Sequence, residues 1–173
     1  ALTRPLALSG VAPALAALPK LAAEPDHRPS REAMAQTALV SGLALANSGL
    51  GLAHGVAAAL GVHAGVPHGL ACAVMLPIAL KANLAACVAP LAALERSVLP
   101  TAAKKSAQAA AESFVARIER LAAQLAIPSR LAELGVTRAQ IPDLVRASHG
   151  NSRRGNPRAI EDTELADLLE QAW

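Results

Sequence analysis

An all-α fold is predicted by three observations. No run shows sustained apolar and polar alternation with β-branched enrichment, the pattern of a half-buried strand. Hydrophobic residues make up 53% of the chain while Phe and Trp occur once each and Tyr not at all, so the apolar material is rich in alanine and leucine, both good helix formers. Apolar residues also recur at helical spacing, most clearly over 102–125, where Phe114, Ile118 and Leu121 share a stripe and Lys104, Glu112, Arg117 and Glu119 take other faces. At 173 residues the chain is long enough to bury a substantial core, and residues 1–173 are expected to form a single helical domain.

Each element has a local reason. The Ala/Leu-rich stretch 6–23 carries Pro13 and Pro19, which predict a helix broken into pieces. Residues 24–29 are a polar loop, and Ser30 is the expected N-cap of a helix to about Ala46, with Glu32 in its first turn. After a break at 47–49, a helix from near Gly51 to about Gly61 carries His54 close to its start, and a loop over 62–67 turns the chain back. The next helix, 70–84, contains Pro77, which should kink it. Beyond the amphipathic helix, Ser129 caps a short turn ending near Gly135, and Thr137 with Gln140 forms a capping box ahead of a short helix to about His149. Residues 150–158 read as a surface loop with solvated arginines, and Asp162 or Thr163 begins the last helix.

Composition excludes some functions. The net charge is +3, the basic residues stand in short separated groups, and aromatic platforms for stacking bases are nearly absent, so no nucleic-acid partner is expected. No Asp, Glu, Lys or Arg occurs over 33–80, which raises a membrane reading. Gln36, Thr37, Ser41, Asn47, Ser48, His54, His63 and His68 interrupt that stretch, and each would need a partner in lipid. The expectation is therefore the buried centre of a helical domain and no membrane. The start Ala1-Leu2-Thr3-Arg4-Pro5 lacks the regions of a secretory signal. Cys72 and Cys87 form no CxxC and read as two reduced core thiols of a cytoplasmic protein.

The segment Gly49-Leu50-Gly51-Leu52-Ala53-His54-Gly55 is followed by Val66-Pro67-His68-Gly69, which places a second histidine fourteen residues after the first. Neutral imidazoles are good ligands for divalent transition metals, and two brought together across a helix and a turn supply half of a tetrahedral site. The plain alternative is a pair of core or surface histidines. Gly49, Gly51, Gly55 and Gly69 remove side chains beside the pair and would admit a neighbouring helix or a substrate. His63 reads as a rim or solvent residue, and neither Asp26-His27 nor His149 has a supporting context as a ligand.

Read as a block, Ser41-Gly42-Leu43-Ala44, Asn47 through Gly55, Leu60-Gly61, Val66-Pro67-His68-Gly69-Leu70-Ala71, Met75-Leu76-Pro77 and Asn83 resemble the iron-containing (group III) alcohol dehydrogenases. Asn156-Pro157-Arg158 and the closing helix look like the end of the same family. The resemblance implies a multi-helical bundle like the dehydroquinate synthase-like C-terminal domain of those enzymes. It further implies Fe²⁺ or Zn²⁺ bound by one Asp and three His, with His54 and His68 as the last two ligands. The other two, on an Asp-x-x-x-His element, and the NAD(P)-binding domain are expected upstream of residue 1.

By the same resemblance the complete enzyme interconverts small alcohols and aldehydes with NAD(P), and this chain alone is expected to be inactive. Its partners would be a separate nucleotide-binding subunit or a second copy, joined through an exposed apolar patch over 1–18 and around His54. Ala58 and Ile78 stand where many members carry histidine, and Cys72 where Asn is frequent. These departures keep open an alternative, a degenerate, non-catalytic helical module used for assembly with a partner.

Overall fold

Helical spacing and cap chemistry resolve into nine α-helices, with no strand, among residues 3–173, the residues that the computed structural model describes. They are α1 (Thr3–Ala23), α2 (Arg28–Ser48), α3 (Leu52–Ala64), α4 (His68–Asn83), α5 (Val88–Val98), α6 (Ala107–Gln124), α7 (Ile141–Ala147), α8 (Asn151–Arg154) and α9 (Asp162–Gln171). They gather into two compact units. One takes residues up to Gly49 together with Cys87–Leu125, hence α1, α2, α5 and α6; the other takes Leu50–Ala86 and Ala126–Trp173, hence α3, α4, α7, α8 and α9.

In the first unit α1 runs unbroken through Pro13 and Pro19, contrary to the broken helix expected. Each proline forfeits one intrahelical hydrogen bond, but packing against α2 holds the helix together. A Cβ at Gly10 would lie 2.9 Å from Val40 Cγ2, and Thr37 Oγ1 donates to the Gly10 carbonyl at 3.2 Å. The N-cap of α2 is His27 instead of Ser30: its Nδ1 accepts from the Ser30 amide at 3.4 Å and lies 2.8 Å from Ser30 Oγ. Arg28 and Pro29 then occupy the first helical positions, where proline's missing N–H costs nothing.

The charge-free stretch divides on burial. Leu52, Val56, Ala57, Ala59, Leu60, Ala71, Val74, Met75 and Ala79 are core residues, as expected. On α2, however, only Ser30 and Ala44 are buried, and Leu39, Leu43 and Leu45 are 64%, 48% and 40% exposed. That helix packs chiefly on α1, so one stripe is covered and the rest stays open. Of the apolar patch expected over 1–18, Ala1 and Leu2 lie outside the described residues, and Leu6 is exposed. By length and hydropathy alone, Thr3–Ala23 and His68–Ala86 could each cross a bilayer.

A helix at Val88–Val98 was not expected from the sequence. It packs on α6 and delivers a buried carboxylate: Glu95 is 0% exposed. Arg117 Nε and Nη2 donate to its two oxygens at 2.9 and 2.8 Å, and Ser113 Oγ donates at 2.8 Å. Arg117, assigned to a polar face on periodicity, thus turns into the unit. Ser106, not a residue near 102, caps α6 by accepting from the Ala109 amide at 3.2 Å.

The second unit is built on Leu52, Leu60, Met75, Leu131, Ile141, Leu144, Leu165 and Leu169, all nearly or wholly buried. Its chain end is tied down. Leu131 N donates to the Ala172 carbonyl at 2.9 Å, Trp173 Nε1 donates to the Val136 carbonyl at 2.7 Å, and the Arg138 guanidinium lies 4.5 Å from the Trp173 ring centroid. The capping box of Thr137 and Gln140 forms as expected, with Thr137 N donating to Gln140 Oε1 at 2.8 Å. The 150–158 stretch, read as a loop, contains the single turn α8.

The hydrogen bonds from Arg117 hold the Glu95 carboxyl below the usual carboxylate range, against burial, which pushes it up. A depressed folded-state pKa contributes stability that is fully present above the unfolded value, about 4.3, and is lost as pH falls through the folded value. Glu95→Gln should therefore cost about 2–3 kcal/mol at pH 7 and flatten the acid limb of the stability profile. Urea denaturation of both proteins between pH 7 and 3 checks this; parallel profiles would contradict it.

Candidate metal centre

Two helix starts carry the site. His54 lies in the first turn of α3 and His68 opens α4. The helix α3 runs one turn further than expected, to Ala64, so that His63 lies in its last turn, exposed to solvent. Gly65 then takes the left-handed conformation (φ +64°), which glycine adopts without strain. Val66 N donates to the Leu60 carbonyl at 3.3 Å, six residues back. The three-residue link 65–67 thereby returns the chain toward the start of α3, as the sequence required for the two histidines to meet.

They do meet. The ring centroids of His54 and His68 are 5.5 Å apart, edge to face at 61°. A third donor joins them: Cys72, one helical turn after His68 on the same face of α4, places Sγ 3.5 Å from His68 Nε2. One ligand atom from each of His54, His68 and Cys72 lies within 4.8 Å of the others. His54 and Cys72 are half-buried and His68 is exposed. Burial, and secondarily the neighbouring His68, pushes the His54 imidazole below its ordinary pKa, a shift toward the neutral form that binds metal. Burial raises the Cys72 thiol.

The site is braced from below by an amide that the sequence analysis quoted only as part of a motif. Asn156 Oδ1 accepts from the Leu52 amide at 3.2 Å, at the start of α3, and from Asn83 Nδ2 at 2.9 Å, at the end of α4. Its Nδ2 donates to Asn83 Oδ1 and to the Arg158 carbonyl, both at 2.8 Å. Every donor and acceptor of the Asn156 side chain is used. Arg158 Nε donates to the Ala82 carbonyl at 2.9 Å and its guanidinium pairs with Glu164. Gly155, next to Asn156, allows this approach: a Cβ there would lie 2.4 Å from the Leu50 carbonyl oxygen.

The remaining expectations fall elsewhere. Gly55 lets Ser148 and Arg153 come close, at 3.4 and 3.5 Å from where its Cβ would stand, but a Cβ at Gly49 or Gly69 would meet nothing within 4 Å. His27 caps α2, Asp26 is exposed, and His149 pairs with Asp162 at 3.0 Å. Cys72 was read as an inert thiol. The signal that could have raised it is its place four residues after His68 on a helix.

Comparison with known proteins shows the family of the chain. A family model described as "Fe-containing alcohol dehydrogenase family, C-terminal" matches residues 1–173. The 1,3-propanediol dehydrogenase of Citrobacter freundii is 32% identical over 145 residues, 83% of this chain and 38% of that protein. The NAD-dependent methanol dehydrogenase of Bacillus methanolicus is 31% identical over 156 residues, 90% of this chain and 41% of that protein. Among solved structures, a 1,3-propanediol oxidoreductase superposes with a TM-score of 0.95 at 30% identity, covering 99% of this chain and 45% of that one. The chain thus spans less than half the length of these relatives.

Asn156→Ala removes four hydrogen bonds and leaves the Leu52 amide and the largely buried Asn83 side chain without their partner. It should destabilise the protein by about 2–4 kcal/mol, measured by urea denaturation. A loss under about 0.5 kcal/mol would show that the brace is dispensable.

Proposed function

The chain belongs to the Fe-containing alcohol dehydrogenase family as a C-terminal domain, and on that premise we propose that it is the metal-holding part of an oxidoreductase that interconverts a small alcohol and its aldehyde. His54 and His68 are the proposed ligands for Fe²⁺ or Zn²⁺. The observation that carries the reading is their convergence: residues fourteen apart, on different helices, with rings 5.5 Å apart. Their donor chemistry fits a divalent transition metal.

Bound there, such an ion supplies Lewis acidity toward an alcohol or aldehyde oxygen, and a nicotinamide cofactor supplies hydride exchange. The chain's own residues do the positioning. His54 presents a neutral imidazole in the first turn of α3, where the helix dipole also disfavours a protonated ring. His68 stands on the solvent side, open to an incoming substrate. Asn156 fixes the start of α3 against the end of α4 and so limits how far the two rings can drift.

NAD(P) is the proposed hydride carrier, supported by the similar methanol dehydrogenase described as NAD-dependent. Exposed leucines on α2 support a partner surface, either a nucleotide-binding subunit or a second copy of this chain. Two unpaired thiols, Cys72 and Cys87, suit a cytoplasmic setting.

Anaerobic calorimetry of the metal-free protein with Zn²⁺ and with Fe²⁺ tests the reading. We expect one equivalent bound, and no binding in the His54→Ala/His68→Ala variant. Uptake that survives in the variant would overturn the histidine pair as ligands and favour a helical module serving assembly alone; absence of uptake by the unaltered protein would show that the site needs the Asp and His expected upstream.

A further inference from the structure

We propose that Cys72 is a third protein ligand, so that His54, His68 and Cys72 of this chain together hold one zinc-class divalent ion. The inference rests on the reading of His54 and His68 as ligands and adds to it a donor and a metal preference.

Geometry is the first support. In tetrahedral zinc sites the Zn–N and Zn–S bonds are about 2.0 and 2.3 Å, which sets nitrogen and sulfur ligands about 3.6 Å apart. The Cys72 Sγ to His68 Nε2 separation is 3.5 Å, and the ligand atoms of all three residues lie within 4.8 Å of one another. The backbone is already arranged, because His68 and Cys72 are successive positions on one helix face and α3 brings in the third donor from across the turn.

Access is the second support. His68 is exposed and His54 and Cys72 are half-buried, so an ion can enter. On binding, the Cys72 S–H bond breaks, its proton passes to solvent, and the sulfur keeps the electron pair that it shares with the ion.

Donor chemistry gives the preference. A thiolate is a soft ligand and favours zinc over ferrous iron, which the general affinity order of divalent metals also ranks below zinc. Serine at position 72 keeps the size and removes the soft donor.

Two measurements on the full 173-residue chain test the proposal, with Co²⁺ as a spectroscopic stand-in for Zn²⁺. Bound Co²⁺ should show a sulfur-to-metal charge-transfer band in the near ultraviolet, absent in Cys72→Ser. In competition titrations that variant should lose at least tenfold in Zn²⁺ affinity and less in Fe²⁺ affinity. Zn²⁺ should also slow alkylation of Cys72 by iodoacetamide at least tenfold while leaving Cys87 unaffected, a comparison made within the unaltered protein and independent of how the variant folds. Metal uptake that depends on the two histidines but gives no charge-transfer band and no protection of Cys72 would overturn this proposal and leave the histidine pair standing. Uptake independent of the histidines would overturn both, and absence of uptake would overturn this proposal.

Discussion

Everything at the candidate metal centre depends on one side-chain amide. Asn156 joins the beginning of α3 to the end of α4 through the Leu52 amide and the Asn83 side chain. Those two points sit at opposite ends of a helix–turn–helix segment, so a single residue from a distant part of the chain closes the segment into a fixed frame. A frame closed by hydrogen bonds tolerates little motion when all its members are satisfied, and loses much when one is removed. The histidines need that rigidity because two ligands on separate helices share an ion only while the helices keep their register.

Backbone close approach makes the brace possible. Residue 155 must pass the Leu50 carbonyl so closely that a methyl group would overlap it. The sequence spends a glycine there and places the asparagine next to it, so the approach and the hydrogen bonds are two parts of one contact. The return of the chain through Gly65 is a second such device, made with positive φ in place of a missing side chain.

Local signals in the sequence were readable and non-local ones were not. The capping box at Thr137 and Gln140, the start of α9 and the meeting of His54 with His68 follow from cap chemistry, helix dipole and a recognisable motif, all of which reside in short segments. The unbroken α1 was hidden because proline's cost is local while the packing against Thr37 and Val40 that offsets it is not. The ion pair of Arg117 with Glu95 was hidden for the same reason. Periodicity puts an arginine on a polar face, and only the partner helix α5 reveals that the face is turned inward. Ser30 failed as a cap because His27, two residues before Pro29, could do the same work earlier in the chain. The bracing role of Asn156 was legible only as motif resemblance, since nothing near it in sequence announces Leu52 or Asn83.

The amino-acid composition explains why such polar contacts matter more here than in a core rich in aromatics. One Phe and one Trp serve the whole chain, and many buried positions are alanine, among them Ala57, Ala59, Ala71, Ala92, Ala102, Ala110 and Ala111. At about 25 cal/mol per Å² of apolar surface, an alanine methyl gains far less on burial than a leucine or phenylalanine, and its shape fits many alternative helix pairings equally well. Small side chains let helices approach closely without dictating which approach is right. Glu95 with Arg117 in one unit, and Asn156 with Asn83 in the other, each demand a specific partner on a specific helix. A mispaired arrangement leaves a carboxylate or an amide buried and unsatisfied at a cost of several kcal/mol. Uniform alanine packing therefore supplies cohesion, and buried polar pairs supply the choice of arrangement within each unit; in the second, Asn156 with Asn83 holds the helices that bring the two histidines together.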